Sequence, residues 1–278
     1  MPVLERMRPL LGTFVTIRAA SAESMPTAVL MRAIDAAFDA MSRVDRRMSI
    51  HRPSSDVCRI NRAREGTRLR VDRWTHGVLR RAETLRRASR GAFDLDVGDS
   101  LSRAGLLPAK RGRSSRRHGD GLPAFRLLPG HHVLVRRRLH IDLGGIAKGF
   151  AVDRAVDALR AAGVLTGTVN AGGDLRVFGS GSAAIRVRDD ASPTRTVGLG
   201  MLREGAVATT AAYFVAKSGE RRSAVVDPHR DRQVRLIRSI CVVARHCVDA
   251  DALTKVVAVD RRMSAALARR FHARVVRS

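Results

Sequence analysis

Residues 139–154, Leu-His-Ile-Asp-Leu-Gly-Gly-Ile-Ala-Lys-Gly-Phe-Ala-Val-Asp-Arg, constrain this chain more than any other stretch. Leu139 to Leu143 reads as a strand and Gly144-Gly145 as a tight turn. A helix then opens near Ile146, because Ala147, Ala151, Ala155 and Leu159 recur at helical spacing, with Val152 and Ala158 widening the stripe. Two glycines ahead of a helix N-terminus let backbone approach a ligand closely and leave N–H groups suited to an anion. Asp142 and Lys148 set a carboxylate and an ammonium on either side of that turn. The same pattern also serves an ordinary strand-to-helix connection, so its meaning depends on the rest of the chain.

With 278 residues, a substantial core is available to one large domain or two small ones. The formal charge of +26 comes from 52 Lys+Arg against 26 Asp+Glu, and lysine appears only at 110, 148, 217 and 255. Such a surface attracts polyanions at low salt. However, the arginines are spread throughout, and at 4% aromatic content no stacking platform interleaves them, so nucleic acid is disfavoured as a partner. The cations cluster at 108–121, which has no apolar period and reads as an exposed, mobile basic loop. No run of 18 apolar residues indicates a membrane span. The first residues lack a signal-peptide pattern, and Cys58, Cys241 and Cys247 form neither a metal spacing nor a disulfide framework. A reducing, cytoplasmic setting is the expectation.

In chain order, 10–19 predicts a strand after a glycine turn. A helix follows from Thr27, its expected N-cap, with Leu30, Ile34, Ala37, Met41, Val44 and Met48 on one face. Residues 48–61 are turn-rich around a short helical piece, where His51 and Asn61 stand out mildly. A second amphipathic helix is expected from Trp74 to Ser89, stopped by Gly91. Asp94, Asp96 and Asp99 follow at once. They offer carboxylates, but not the alternating oxygens of an EF-hand loop, and turn-forming aspartates explain them equally well. Residues 133–142 read as a hairpin-like pair around Arg136 to Arg138, and 168–179 as strand, Gly172-Gly173 turn and strand. Further strands are expected at 184–188, 197–201, 206–209, 223–227 and 237–244. Asp249 opens a last helix that Asp251 would cap, with Thr254 projecting near the same end. A hard cation there would find a carboxylate, a hydroxyl and a carbonyl of the Gly144-Gly145 turn, oxygen ligands that suit Mg²⁺.

These parts, in this order, resemble the ApbE family, the FAD:protein FMN transferases. The stretches that carry the resemblance are Leu10-Leu-Gly-Thr13, Met48 to Asn61, Gly91-Ala-Phe-Asp94, Asp142 to Asp153, Asn170-Ala-Gly-Gly-Asp174 and Ala250-Asp-Ala-Leu-Thr254. Val207-Ala-Thr209 and Val225-Val-Asp-Pro228 are weaker echoes. The resemblance implies one domain over 1–278, an α+β fold of the T-fold kind with mixed or antiparallel sheets packed against helices. It also implies FAD as substrate, Mg²⁺ beside its diphosphate, and an acceptor flavoprotein as partner. FMN would be joined to a threonine of the acceptor, with release of AMP. Leu11, His51, Ala92, Phe93, Asp94, Asp142, Lys148 and Asp174 would line or support the FAD site. Gly145, Asp251 and Thr254 would hold the metal, and Asp251, Lys148 and His229 would act in catalysis.

Departures from the family pattern are equally specific. His51 replaces an aromatic residue that would stack on the flavin, and Leu11 replaces a methionine. An Ala-Thr-Ser-Gly-Asp block reads Ala208-Thr-Thr-Ala-Ala212, and Ala224 stands at a histidine that would be a general base, with His229 the nearest substitute. Lys255 occupies the place of the metal threonine, with Thr254 beside it. Three functions follow as expectations: a Mg²⁺-dependent flavin transferase, an FAD-binding relative with impaired transfer, and, from another class, a basic nucleic-acid-binding protein.

Overall fold

The structure is a computed structural model that describes residues 3–108, 123–190, 192, 194–211, 214, 215 and 221–277. The basic loop of 108–121 lies outside them except for Pro108, as does Ala212.

In chain order, β1 (Val3–Leu10) and β2 (Thr13–Ala20) form a hairpin. Next come α1 (Thr27–Met48), α2 (Asp56–Arg62), β3 (Arg68–Arg70), α3 (Arg73–Ala88) and α4 (Gly98–Arg103). The middle of the chain supplies β4 (Phe125–Leu128), β5 (His132–Val135), α5 (Ala147–Ala161), β6 (Thr166–Ala171), β7 (Asp174–Phe178), β8 (Ala183–Arg188), β9 (Thr196–Leu202) and β10 (Gly205–Thr210). The short pairs β11 (Phe214–Val215) with β12 (Arg221–Arg222), and β13 (Val226–Asp227) with β14 (Arg232–Gln233), precede β15 (Ile240–Ala244). The chain finishes with α6 (Cys247–Val259), α7 (Ser264–Arg270) and β16 (Arg274–Arg277).

Among the described residues the main sheet has the order β1-β2-β6-β7-β10-β15-β16, with every neighbour antiparallel. Antiparallel sheets bury one face and leave the other wet. Along β2, Val15, Ile17 and Ala19 are buried while Phe14 is exposed. The covered face packs under α1, α5 and α6, and all six apolar positions expected to face inward from α1 are buried. This is the expected α+β arrangement. No described helix is long and apolar enough to cross a membrane.

Several sequence expectations are corrected. Residues 139–143 join no ladder, because side chains and a loop take their backbone groups. Asn61 donates to the Ile141 carbonyl and accepts from its N–H (2.9 and 2.8 Å), Asp96 accepts from the His140 N–H (2.7 Å), and Asp142 N–H bonds the Leu95 carbonyl (2.9 Å). The hairpin is β4–β5, turning at Pro129-Gly130-His131, rather than a pair around Arg136 to Arg138. Thr27 is the first helical residue, preceded by Pro26 without a side-chain cap. Finally, α6 starts at Cys247, so Asp251 lies inside it and does not cap it.

The caps of α5 and α6 come instead from each other. Asp153, on α5, accepts the N–H groups of Cys247 and Val248 at the start of α6, each at 3.0 Å. Asp251, on α6, accepts the N–H of Gly149 in the first turn of α5 at 3.1 Å. Each carboxylate satisfies orphan donors of the other helix and lies at its positive end. The approach is close enough to require glycine at 149, where an added Cβ would come to 2.3 Å from the Cys247 carbonyl oxygen.

Candidate functional site

A cavity of about 420 Å³ opens at one end of the main sheet. The β1–β2 turn (Leu11 to Thr13), the β6–β7 turn (Gly172) and the end of β10 (Thr209, Thr210) meet there, and the Gly144-Gly145 turn and Lys148 of α5 close the side. Gly172 adopts a left-handed φ of +64°, and a Cβ on it would come to 2.4 Å from the Thr13 hydroxyl, so this corner is tight enough to require glycine. Phe93, Leu95, Leu101 and Leu107 give the cavity an apolar surface, with the Phe93 ring beside the Gly145 turn, 3.7 Å from where a side chain on that glycine would begin.

Of the residues singled out from sequence, Leu11, Ala92, Phe93, Asp94, Asp142, Gly145 and Lys148 line this cavity. Asp174, Asp251 and Thr254 stand behind the wall, each at most 1% exposed. His51 is exposed and off the lining, within electrostatic reach of Asp142. His229 is also exposed and off the lining; its ring stands against Gly91, 3.1 Å from where a side chain on that residue would begin.

The polar end is a tetrad of two lysines and two aspartates. Lys148 Nζ donates to Asp174 Oδ2 at 2.5 Å, and Lys255 Nζ donates to Asp251 Oδ1. Burial works against the charge of Lys148, but Asp174 and Asp251 outweigh it and raise its pKa, so it stays an ammonium. Burial likewise opposes the charge of Asp251, yet Lys255 and Lys148 hold its carboxyl below the ordinary range. Asp174 moves the other way, raised by burial and by the neighbouring Asp251 charge. Asp142 takes the Gly144 N–H at 3.0 Å, and burial raises it as well.

Lys255 is the residue that sequence reading left without a role. Its signal is compositional: in a chain with four lysines among 52 cations, two stand at this cavity. Lysine is a compact charge on a flexible stem, which the planar arginine fork does not replace.

The resemblance also implies a divalent metal, and the donors here do not fit one. Of Gly145, Asp251 and Thr254, only Gly145 lines the cavity. Both Asp251 oxygens are engaged, one by Lys255 and one by the Gly149 N–H. The Thr254 hydroxyl bonds the Asp251 carbonyl and the Thr210 hydroxyl, each at 2.7 Å. Mg²⁺ demands near-octahedral oxygen coordination, and here it would have to displace an ammonium. Among the described residues no group of three His, Cys, Asp or Glu is placed to hold a metal ion.

An ApbE protein of known structure from Thermotoga maritima is 26% identical and superimposes with a TM-score of 0.81, over 100% of this chain and 97% of that one. A FAD:protein FMN transferase from Vibrio cholerae is 25% identical over 232 residues, 77% of this chain and 69% of that protein. A second, from Treponema pallidum, is 26% identical over 306 residues, 96% of this chain and 81% of that protein. The profile of the ApbE family matches residues 11–276, and the chain belongs to that family.

Proposed function

We propose that this chain is a flavin transferase that moves the FMN half of FAD onto a threonine hydroxyl of an acceptor flavoprotein and releases AMP. The observation that carries the reading is the cavity itself: its lining combines an apolar surface for a flavin with a glycine turn, a helix N-terminus and two ammoniums suited to a diphosphate. In the reaction the acceptor oxygen bonds the phosphorus of the FMN half. The bond from that phosphorus to the bridging oxygen breaks, the bridging oxygen leaves with AMP, and the hydroxyl proton passes to a base. Little covalent work falls to the protein in such a transfer, so positioning and charge neutralisation carry the rate. Lys148 and Lys255 neutralise the phosphates, and no step is assigned to Mg²⁺.

The proton acceptor we assign is Asp142, because it lines the cavity whereas His229 does not. Its raised pKa makes it a stronger base than an ordinary carboxylate. Only the ionised form accepts a proton, so transfer should fall on the acid side with a midpoint above 3.8, the ordinary aspartate value. Asp142→Asn should abolish that acid limb and slow transfer about 100-fold. A retained acid limb in a slowed variant would move the base elsewhere.

The direct test is intact-mass analysis of an acceptor flavoprotein domain incubated with this chain and FAD. An increase matching FMN, with AMP appearing in equal amount, is expected. If a competent transferase modifies the same acceptor and this chain does not, while FAD still binds, the chain is a flavin-binding relative without transfer.

A further inference from the structure

We propose that the Lys255 ammonium is the resident counter-charge for the diphosphate in this chain, so that transfer runs without a divalent metal. The inference rests on the flavin-transfer reading above. Lys255 stands one turn beyond Asp251 on α6, and its ammonium lies on the Asp251 carboxylate. Its stem runs past the Gly144-Gly145 turn: a Cβ on Gly145 would sit 3.5 Å from Lys255 Cγ and 3.6 Å from Cε. Lys255 itself lines the cavity. A cation on a covalent arm is thus fixed where the turn, the buried carboxylate and the cavity meet, the same place in which the resemblance puts a metal.

The neighbouring oxygen donor is unavailable to an ion, since Thr254 is fully buried and bonded to Thr210 and to the Asp251 carbonyl. Lys255 supplies three N–H donors and one positive charge. With Lys148 it gives two ammoniums for the two phosphates of the substrate. Each ammonium is tethered by a buried carboxylate, Lys148 by Asp174 and Lys255 by Asp251, so both charges are oriented before substrate arrives.

The test compares transfer in chelator with transfer in Mg²⁺, using the full chain, FAD and an acceptor flavoprotein domain. The wild-type rate should agree within about twofold between the two buffers. Lys255→Thr, which frees the Asp251 carboxylate and adds a hydroxyl, should fall about 100-fold in chelator and recover with Mg²⁺. Lys255→Met keeps the stem past Gly145 and should lose transfer in both. A wild-type chain that stops in chelator and restarts with Mg²⁺ overturns the proposal.

A second readout needs no turnover. Mn²⁺ titration followed by electron paramagnetic resonance, with FAD present, should show no bound ion on the wild-type chain and one per chain on Lys255→Thr. One Mn²⁺ bound per wild-type chain beside FAD overturns the counter-charge role alone. FAD that fails to quench on the wild-type chain in either buffer overturns the flavin-transfer reading, and this inference with it.

Discussion

Asp153→Ala should cost about 3–5 kcal/mol of folding stability, read as a lowered denaturation midpoint at unchanged slope. Asp153 is 2% exposed and Arg176, its partner on β7, is 4% exposed, with Nη1 to Oδ1 at 2.5 Å. The pair need not stabilise the fold relative to a well-packed apolar pair, since desolvating two charges offsets most of their attraction. Removing one partner is a different matter. It leaves a buried guanidinium with only the half-exposed Glu204 carboxylate within electrostatic reach, and its Nε already has no hydrogen-bond partner. It also strips the Cys247 and Val248 N–H groups of their acceptor, an additional loss of about 1–2 kcal/mol if water does not replace it. Asp153→Leu combined with Arg176→Met should recover most of the loss from the ion pair but not that from the cap. A cost below about 1 kcal/mol for Asp153→Ala would mean that the two helices are held by apolar packing alone.

Local elements were legible in the sequence where one physical signal dominated. The α1 stripe, the α5 stripe and the Gly172-Gly173 hairpin follow from periodicity and turn chemistry, and each stands where expected. The β1 strand carries no sequence signal because Glu5, Arg6, Arg8 and Pro9 interrupt any apolar pattern, which an edge strand tolerates. Residues 139–143 mimic a strand because their alternating apolar pattern reads alike whether the backbone partner is a strand or the amide of Asn61, 80 positions away. The cavity lining was legible largely through the resemblance, since Leu11, Ala92 to Asp94, and Asp142 with Gly145 come from three separate segments.

What sequence could not show is the pairing across α5 and α6. Asp153 and Val248 are 95 residues apart, and nothing local marks either helix as capping the other. For the same reason Asp251 reads from sequence as the cap of its own helix, whereas it bonds the first turn of α5. Lys255 gains meaning only once the Gly145 turn is brought against α6, which makes an ordinary i,i+4 ion pair into part of a cavity wall.

Lys148→Met should slow transfer about 10²–10³-fold, the cost of removing one oriented charge from a developing oxyanion. The same substitution exposes a second effect that could be mistaken for the first. Asp174 is 1% exposed and loses its ammonium, while the Asp251 charge remains beside it. The variant should therefore also lose about 3–5 kcal/mol of stability, less whatever Asp174 recovers by taking up a proton. The two effects separate in the double variant Lys148→Met with Asp174→Asn, where no buried carboxylate is left without its lysine. Stability should return to within about 1–2 kcal/mol of wild type while transfer stays slow, a coupling between the two residues in folding but not in catalysis. If transfer returns with stability, Lys148 is only the counter-ion of Asp174, and the phosphates are met by Lys255 and the backbone of the Gly144-Gly145 turn.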